Sequence, residues 1–218
     1  MRVLSWNIYH GRAVPPAGRP LLDEFSSAIA GWPWDVALLQ EVPPWWPPRL
    51  AQAAGADQRT ALTSRNSLLP LRRFVAERWP DVIKSNGGGA NAILVRELEI
   101  TDHRSSTLRR HPERRVMHAV ALAGGPWVAN LHAQVHSEVR AQADIARAVA
   151  VLRAWAGDAP AILGGDFNVR DPLAPGFSPA GAHGVDQVLV RGLDPAGRAT
   201  VLDHGPLSDH APVLVELA

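Results

Sequence analysis

The chain has 218 residues, a formal net charge of +1, no cysteine and eight tryptophans. Without cysteine there can be no disulfide, thiolate metal site or thiol nucleophile. The near-zero charge excludes a protein that holds nucleic acid by bulk electrostatics, and no apolar stretch approaches the length of a membrane span.

The hydrophobic fraction is that of a folded chain, and strand-like runs from residue 2 to residue 217 have no low-complexity linker between them. We therefore expect one domain spanning 1–218. The N-terminus enters a strand directly, with no charged and then apolar leader, so no secretory signal is expected, and the lack of cysteine fits a cytoplasmic location. Lys84 is the only lysine among 22 basic residues. With abundant Ala, Pro and Gly, that usage reads as the mark of a GC-rich genome rather than an arginine-based binding device.

In chain order, a strand is expected over 2–7, followed by a Pro/Gly loop from Gly11 to Pro20 and a helix over Leu21–Ala30. A second strand ends at Glu41. The stretch Pro43-Pro44-Trp45-Trp46-Pro47-Pro48 breaks regular structure, and a short helix starts near Pro48. A helix follows over Leu69–Trp79. Strands are expected at 82–84 and 90–95, around the turn Asn86-Gly87-Gly88-Gly89, and then at 98–107, 115–122 and 126–132. The clearest helix is Glu138–Trp155, with Val139, Ile145, Val149 and Leu152 placed on one face. Strands at 161–165, 185–190, 199–202 and 211–217 complete the chain. Helices mixed with hairpin-like strand pairs predict an α/β fold with mostly antiparallel sheets. A loose echo, helix then apolar strand then acid, at Ala-Leu-Leu-Gln-Glu41 and Ile-Leu-Gly-Gly-Asp166, fits two sheets packed face to face.

Four apolar runs end in polar chemistry: at Asn7, at Glu41, at Asp166-Phe167-Asn168, and at Ser208-Asp209-His210. Residues just past buried strands lie where open sheets place ligands. Carboxylates, amides and a histidine suit a hard divalent cation and a phosphate. In an extended segment Asp166 and Asn168 would share a face, with Phe167 turned into the core. Gly164-Gly165 permits close backbone approach or an unusual φ. Each piece has a plainer reading: an Asp/Asn turn, a strand-entry turn, an ion pair between Glu41 and an arginine, a strand-end hydrogen bond at Asn7. Three consecutive residues cannot form a serine-protease triad, which excludes that role for Ser208, Asp209 and His210.

Together, Trp6-Asn7, Leu39-Gln40-Glu41, Gly165-Asp166-Phe167-Asn168 and Leu207-Ser208-Asp209-His210-Ala211-Pro212-Val213 resemble the endonuclease/exonuclease/phosphatase (deoxyribonuclease I-like) superfamily. Asn130-Leu131-His132, Gly184-Val185-Asp186 and Asn91-Ala92-Ile93-Leu94 resemble further segments of it, with Gln187 where an aromatic residue is usual. The resemblance implies a four-layer α/β sandwich, two packed, mostly antiparallel sheets flanked by helices, and a Mg²⁺-dependent phosphoesterase, with Mn²⁺ as a substitute metal. By the same resemblance, Glu41 is the main metal ligand with Asn7 and Asp209 beside it. Asp166 activates water and Asn168 positions it. His210 contacts the phosphate, held by Asp186, and His132 contacts the phosphate from the other side or assists the leaving group. Tyr9 departs from the acidic residue some nucleases carry there.

The expected substrate is a phosphodiester, DNA or RNA foremost, with a phosphomonoester, a lipid phosphodiester or noncatalytic phosphate binding as alternatives. No obligate protein partner is evident. Substrate contacts are expected from Asn91 and from Arg109, Arg110, Arg114 and Arg115, although a solvated charged hairpin also explains the run from His103 to His118. His132 and His136 are i, i+4 but lack the glutamate of a zincin motif, so His136 reads as a helix-start residue. Trp45-Trp46 reads as a recognition loop or as packing against a helix.

Overall fold

The computed structural model describes residues 1–64, 66–82 and 89–218. The first sheet is built from β1 (Arg2–Asn7), β2 (Val36–Val42), β3 (Asp57–Leu62), β4 (Ala90–Val95), β11 (Thr200–Val201) and β12 (Val213–Glu216), in the order β11-β12-β1-β2-β4-β3. The second takes β5 (Ile100–Arg109), β6 (Arg115–Leu122), β7 (Trp127–His132), β8 (Ala161–Asp166), β9 (Ser178–His183) and β10 (Asp186–Arg191), in the order β5-β6-β7-β8-β10-β9. The parallel pairs are β1–β2 and β7–β8, and the remaining neighbours are antiparallel. Each parallel pair is joined by a crossover helix, α1 (Leu22–Gly31) in the first half and α4 (Glu138–Ala156) in the second. The echo seen in sequence is thus a β-α-β unit repeated once per sheet, with Glu41 and Asp166 at corresponding strand ends.

Three apolar clusters give four layers. Leu4, Trp6, Leu39 and Leu94 of the first sheet pack on Phe25 and Ile29 of α1 and Leu50 of α2 (Pro47–Ala54). Val3, Leu38, Ile93, Val128, Ile162 and Val188 fill the space between the sheets. Ala129, Leu131 and Leu163 pack on Ile145, Ala148 and Leu152 of α4. Strand side chains alternate between the two faces, so a strand buried on both sides must be apolar throughout. Such runs are what the sequence displays at β1, β2 and β8.

Several expectations change. Val139 faces solvent at 82% exposure. It stands six residues from Ile145, off the 3.6-residue stripe of Ala141, Ile145, Ala148 and Leu152. Strands β3 and β9 were not foreseen. Both are sheet edges, where one-sided pairing tolerates the polar run of β3 and the Pro179 and Gly181 of β9. Of the strand expected at 82–84 and the turn at 86–89, residues 83–88 lie outside the described residues, and Val82 stands in a turn. Helix α3 (Leu69–Arg78) forms where expected. Trp46 is buried, packed over Gly11 and 5.6 Å from the Phe25 ring, while Trp45 packs at the same cluster's edge.

Arg96 shows what one arginine does structurally. Its guanidinium donates to the carbonyls of Ile29, Ala30, Trp32, Trp34 and Ala54, and stacks 3.7 Å from the Trp34 ring. It thereby satisfies carbonyls that the ends of α1 and α2 leave open.

The second glycine of Gly164-Gly165 is required by its surroundings. Gly165 has φ +140°, and a Cβ there would lie 1.9 Å from the Leu131 carbonyl oxygen on the adjacent parallel strand. Gly165→Ala should therefore cost about 3 kcal/mol, combining forbidden φ with a backbone clash. Urea unfolding should show a lower midpoint at unchanged m-value, and wild-type stability would contradict this packing.

Candidate active site

At one rim of the sandwich, strands leaving and entering both sheets open onto a cleft of about 760 Å³. β1 ends there at Asn7, β7 at His132 and β8 at Asp166. β6 starts there at Arg115, and the segment before β12 brings Asp209 and His210. The β2–β4 register breaks between Leu39 and Val42, and Glu41 within that break adopts φ +53°. A bulge of this kind re-aims a side chain that regular pairing would hold in the ladder. Here it turns Glu41 into the cleft.

Asn7 Nδ2 donates to Asp166 Oδ2 at 2.9 Å, while Asn7 Oδ1 accepts from the Tyr9 N–H at 3.0 Å. Asp166 Oδ1 accepts from the Asn168 N–H at 3.0 Å. The segment is a turn rather than the extended run expected, because Asn168 has φ +52°. The outcome survives: Asp166 and Asn168 line the cleft and Phe167 is fully buried. Asn168 Nδ2 donates to the Ala133 carbonyl at 3.1 Å. His210 Nδ1 and Asp186 Oδ2 are 2.8 Å apart, and His210 Nε2 lies 3.9 Å from Asp166 Oδ2. Ser208 is a local brace, its hydroxyl donating to the Asn7 carbonyl at 2.6 Å and accepting from the His210 N–H at 3.1 Å. His132 Nε2 lies 3.8 Å from Glu41 Oε1 and 3.6 Å from Asp166 Oδ2. Those gaps are too long for hydrogen bonds and of the size that a shared water or cation bridges.

Burial raises the Glu41 pKa to about 7, and the Asp166 charge adds to the rise. Burial and the Asp186 charge likewise raise Asp166 above the usual carboxylate range. Burial would lower His210, but the hydrogen bond and charge of Asp186 outweigh it and raise the pKa to about 9, so His210 is an imidazolium at neutral pH. His132 goes the other way: burial, then the charge of Arg115, holds it neutral.

The structure brings Asn7, Glu41, His132, Asp166, Asn168, Asp209 and His210 into one cleft, with Asp186 behind His210. Of the substrate-contact candidates it brings only Arg115 there. Asn91 is buried and donates to the Val116 carbonyl. Arg109 holds the buried Asp144 of α4 at 2.9 Å. Arg110 and Arg114 are exposed and do not line the cleft, whereas Arg115 does. The charged-hairpin reading also fails in part, since Arg115 and His118 are buried. His136, expected as a helix start, lines the cleft with φ +62°, and Ser137 caps α4 instead.

Sequence reading missed His10, whose Nε2 lies 3.1 Å from Glu41 Oε2, and the Arg12–Asp81 pair at 3.3 Å on the cleft wall. The adjacency of Tyr9-His10 to Asn7 was the available signal. Asp166, Asp186 and His210 also present ligand-capable atoms within 4.8 Å of one another. His210 and Asp186 are hydrogen-bonded at 2.8 Å, whereas Asp166 stands 3.9 Å from His210 Nε2, so the three also make a candidate ion site.

The model of the Endonuclease/Exonuclease/phosphatase family matches residues 4–210. The chain belongs to that family. The match takes in each of the cleft residues named above, from Asn7 to His210. A sequence search of curated proteins found no match. Among solved structures, a mannosyl-6-phosphatase of Bacteroides thetaiotaomicron is similar with TM-score 0.76 at 17% identity, covering 100% of this chain and 99% of that one. The catalytic domain of human Nocturnin, with a bound sulfate anion, gives 0.71 at 18%, covering 100% and 94%. A conserved protein of unknown function from Enterococcus faecalis gives 0.73 at 18%, covering 100% and 99%. At such identities the likeness carries the family's fold.

If Asp186 acts through His210, their effects should not add. Asp186→Ala should slow hydrolysis of a generic phosphodiester less than His210→Ala, and the double variant should match His210→Ala alone. Fully additive losses in kcat/KM would show that the two residues act independently.

Proposed function

We propose that this chain is a divalent-metal-dependent phosphoester hydrolase, with Mg²⁺ the metal and Mn²⁺ a substitute, that breaks a P–O bond by attack of water. The observation that carries the reading is the convergence of Asn7, Glu41, Asp166, Asp209 and His210 in one cleft, where burial raises the pKa of Glu41 and Asp166 and the Asp186 hydrogen bond raises that of His210. Carboxylates whose pKa burial and neighbouring carboxylates push upward make a site that a cation relieves. Glu41, Asp209 and the remaining lone pair of Asn7 Oδ1 are hard oxygen donors, which suits Mg²⁺. When bound, the metal offsets negative charge on the phosphate and on the leaving oxygen.

The side chains divide the remaining work. Asp166 accepts a proton from the attacking water. Its Oδ2 is held by Asn7 and its Oδ1 by the Asn168 N–H, which fixes the carboxylate for that task. Asn168 commits its Nδ2 to Ala133, leaving Oδ1 to orient the water. His210, kept protonated by Asp186, offers its Nε2–H to a non-bridging phosphate oxygen. Neutral His132 faces the same space as a hydrogen-bond partner without adding charge. Overall, the water oxygen joins phosphorus, the ester P–O bond breaks, and the alcohol departs with one of the water's protons.

Phosphodiesters and phosphomonoesters need the same groups, and a mannosyl-6-phosphatase shares the fold at full length. The nucleic-acid reading relied on four arginines, of which only Arg115 reaches the cleft. Small phosphoesters therefore stand ahead of DNA or RNA. A noncatalytic phosphate binder is disfavoured because an acid braced beside an imidazolium serves proton transfer and weakens anion binding.

EDTA should abolish turnover of a generic phosphoester, and Mg²⁺ or Mn²⁺ should restore it. Glu41→Gln should weaken metal binding, with partial recovery at high Mg²⁺. Asp166→Asn should lower kcat at least ~10²-fold while fold and phosphate affinity persist, since a positioned base typically contributes that much. Full activity under exhaustive chelation would remove the metal site, and near-native kcat in Asp166→Asn would remove the base.

A further inference from the structure

The reading above leaves the alcohol half of the ester unnamed, and the cleft wall bears on it. Among the described residues that line the cleft, Val135 carries the only aliphatic side chain. Apolar side chains do stand at the surface nearby, Leu71 and Phe74 of α3, but they do not line it. An acyl chain or alkyl leaving group would meet one aliphatic side chain, the rest of the wall being built from polar, charged and aromatic residues.

The cations of the wall are also neutralised. Arg12, from the loop after β1, pairs with Asp81 at 3.3 Å, and Arg115, from the second sheet, pairs with Glu113 at 2.6 Å. Asp81 is further fixed by the Gly18 N–H at 2.8 Å. A polyanion is held by cations free to meet phosphates, and here it would approach two carboxylates. An arginine beside a carboxylate presents donors next to acceptors at fixed spacing. That is the complement of neighbouring hydroxyl groups, each of which donates once and accepts twice. Thr63 and Ser64 add hydroxyls to the same wall, and the Tyr9 ring, with the Arg12 guanidinium 5.4 Å from its centroid, offers a flat face. A cleft of about 760 Å³ matches a small ligand rather than a polymer groove.

We propose that the alcohol released is a small, hydroxyl-rich molecule, a sugar or cyclic polyol, recognised by the Arg12–Asp81 and Arg115–Glu113 pairs. The inference rests on the hydrolase reading and gives it a substrate class. Sites built to hydrogen-bond hydroxyls reject analogues lacking them strongly, because the polar groups are then left unmet.

The test compares kcat/KM with Mg²⁺ across hexose, pentose and inositol phosphates, octyl phosphate and a single-stranded DNA oligonucleotide. Octyl phosphate and hexose 6-phosphates share a primary alkoxide leaving group and differ in hydroxyls. The best polyol ester should exceed octyl phosphate at least ~100-fold and exceed the oligonucleotide as well. In Asp81→Asn and Glu113→Gln, each first checked for an unchanged melting temperature, the polyol-to-octyl ratio should fall about 10-fold, as expected for a lost hydrogen bond. A best substrate that is octyl phosphate or the oligonucleotide overturns the proposal, as does an unchanged ratio in both variants. Turnover of p-nitrophenyl phosphate with no polyol preference sinks this inference alone. Failure to turn over either p-nitrophenyl phosphate or bis(p-nitrophenyl) phosphate sinks the hydrolase reading with it.

Discussion

The geometry of the cleft depends on an amide clasp buried between the two sheets. Gln40 Nε2 donates to Asn130 Oδ1 at 2.8 Å, and Asn130 Nδ2 donates to the carbonyls of Leu39 and Ala92, both at 2.9 Å. Apolar contacts between sheets are non-directional and would allow one sheet to slide over the other by a fraction of a residue. Hydrogen bonds in a dry interior do not, because any slide leaves a buried donor or acceptor unmet. Gln40 immediately precedes Glu41, and Asn130 lies two residues before His132. The clasp thus fixes the offset between a carboxylate on one sheet and an imidazole on the other. Gly164, where a Cβ would lie 2.6 Å from Leu38 Cδ1, lets the sheets approach closely just below it.

Above the clasp, the rim concentrates charge that the fold alone would avoid. Asp166 and Asp186 are nearly fully buried, and each would be costly without partners. His210 offsets Asp186 directly, and Asn7 and the Asn168 N–H satisfy Asp166. Glu41 is left leaning on His10 and His132. Left-handed backbone at Tyr9, His10, Glu41, Asn168 and Ser208 surrounds the same point. Strain and desolvated charge accumulate together where a structure is organised around a ligand rather than around its own stability.

Much of this was legible in the sequence, for definite reasons. β1, β2 and β8 are buried on both faces, so their apolar runs stand out, and each points at a polar end that lands in the cleft. Edge strands β3 and β9 lack that signature because half of each is wet. Val139 misled because β-branched apolar residues near a helix start resemble core positions until the stripe is traced from Ala141 onward. Arginines carry no label of role. Arg109, matched to Asp144, and Arg96, matched to helix-end carbonyls, have partners 35 or more residues away that no local pattern reveals. His10 had only its nearness to Asn7 to mark it, and Asp81 had no local mark, because its role depends on which loops the fold sets side by side.

The Ser208 hydroxyl reaches the Asn7 carbonyl across 201 residues, and the Trp6 indole reaches the His210 carbonyl across 204. β1 therefore emerges from the ribosome long before β12, its partner along one edge, has been made. Contacts so distant in sequence form late and slowly. A ribosome that stalls before residue 208 releases a chain holding Asn7, Glu41 and Asp166 but neither Asp209 nor His210. Truncated products of synthesis therefore carry an incomplete cleft, and the side chains that meet a ligand come together only when both ends of the sandwich have been joined.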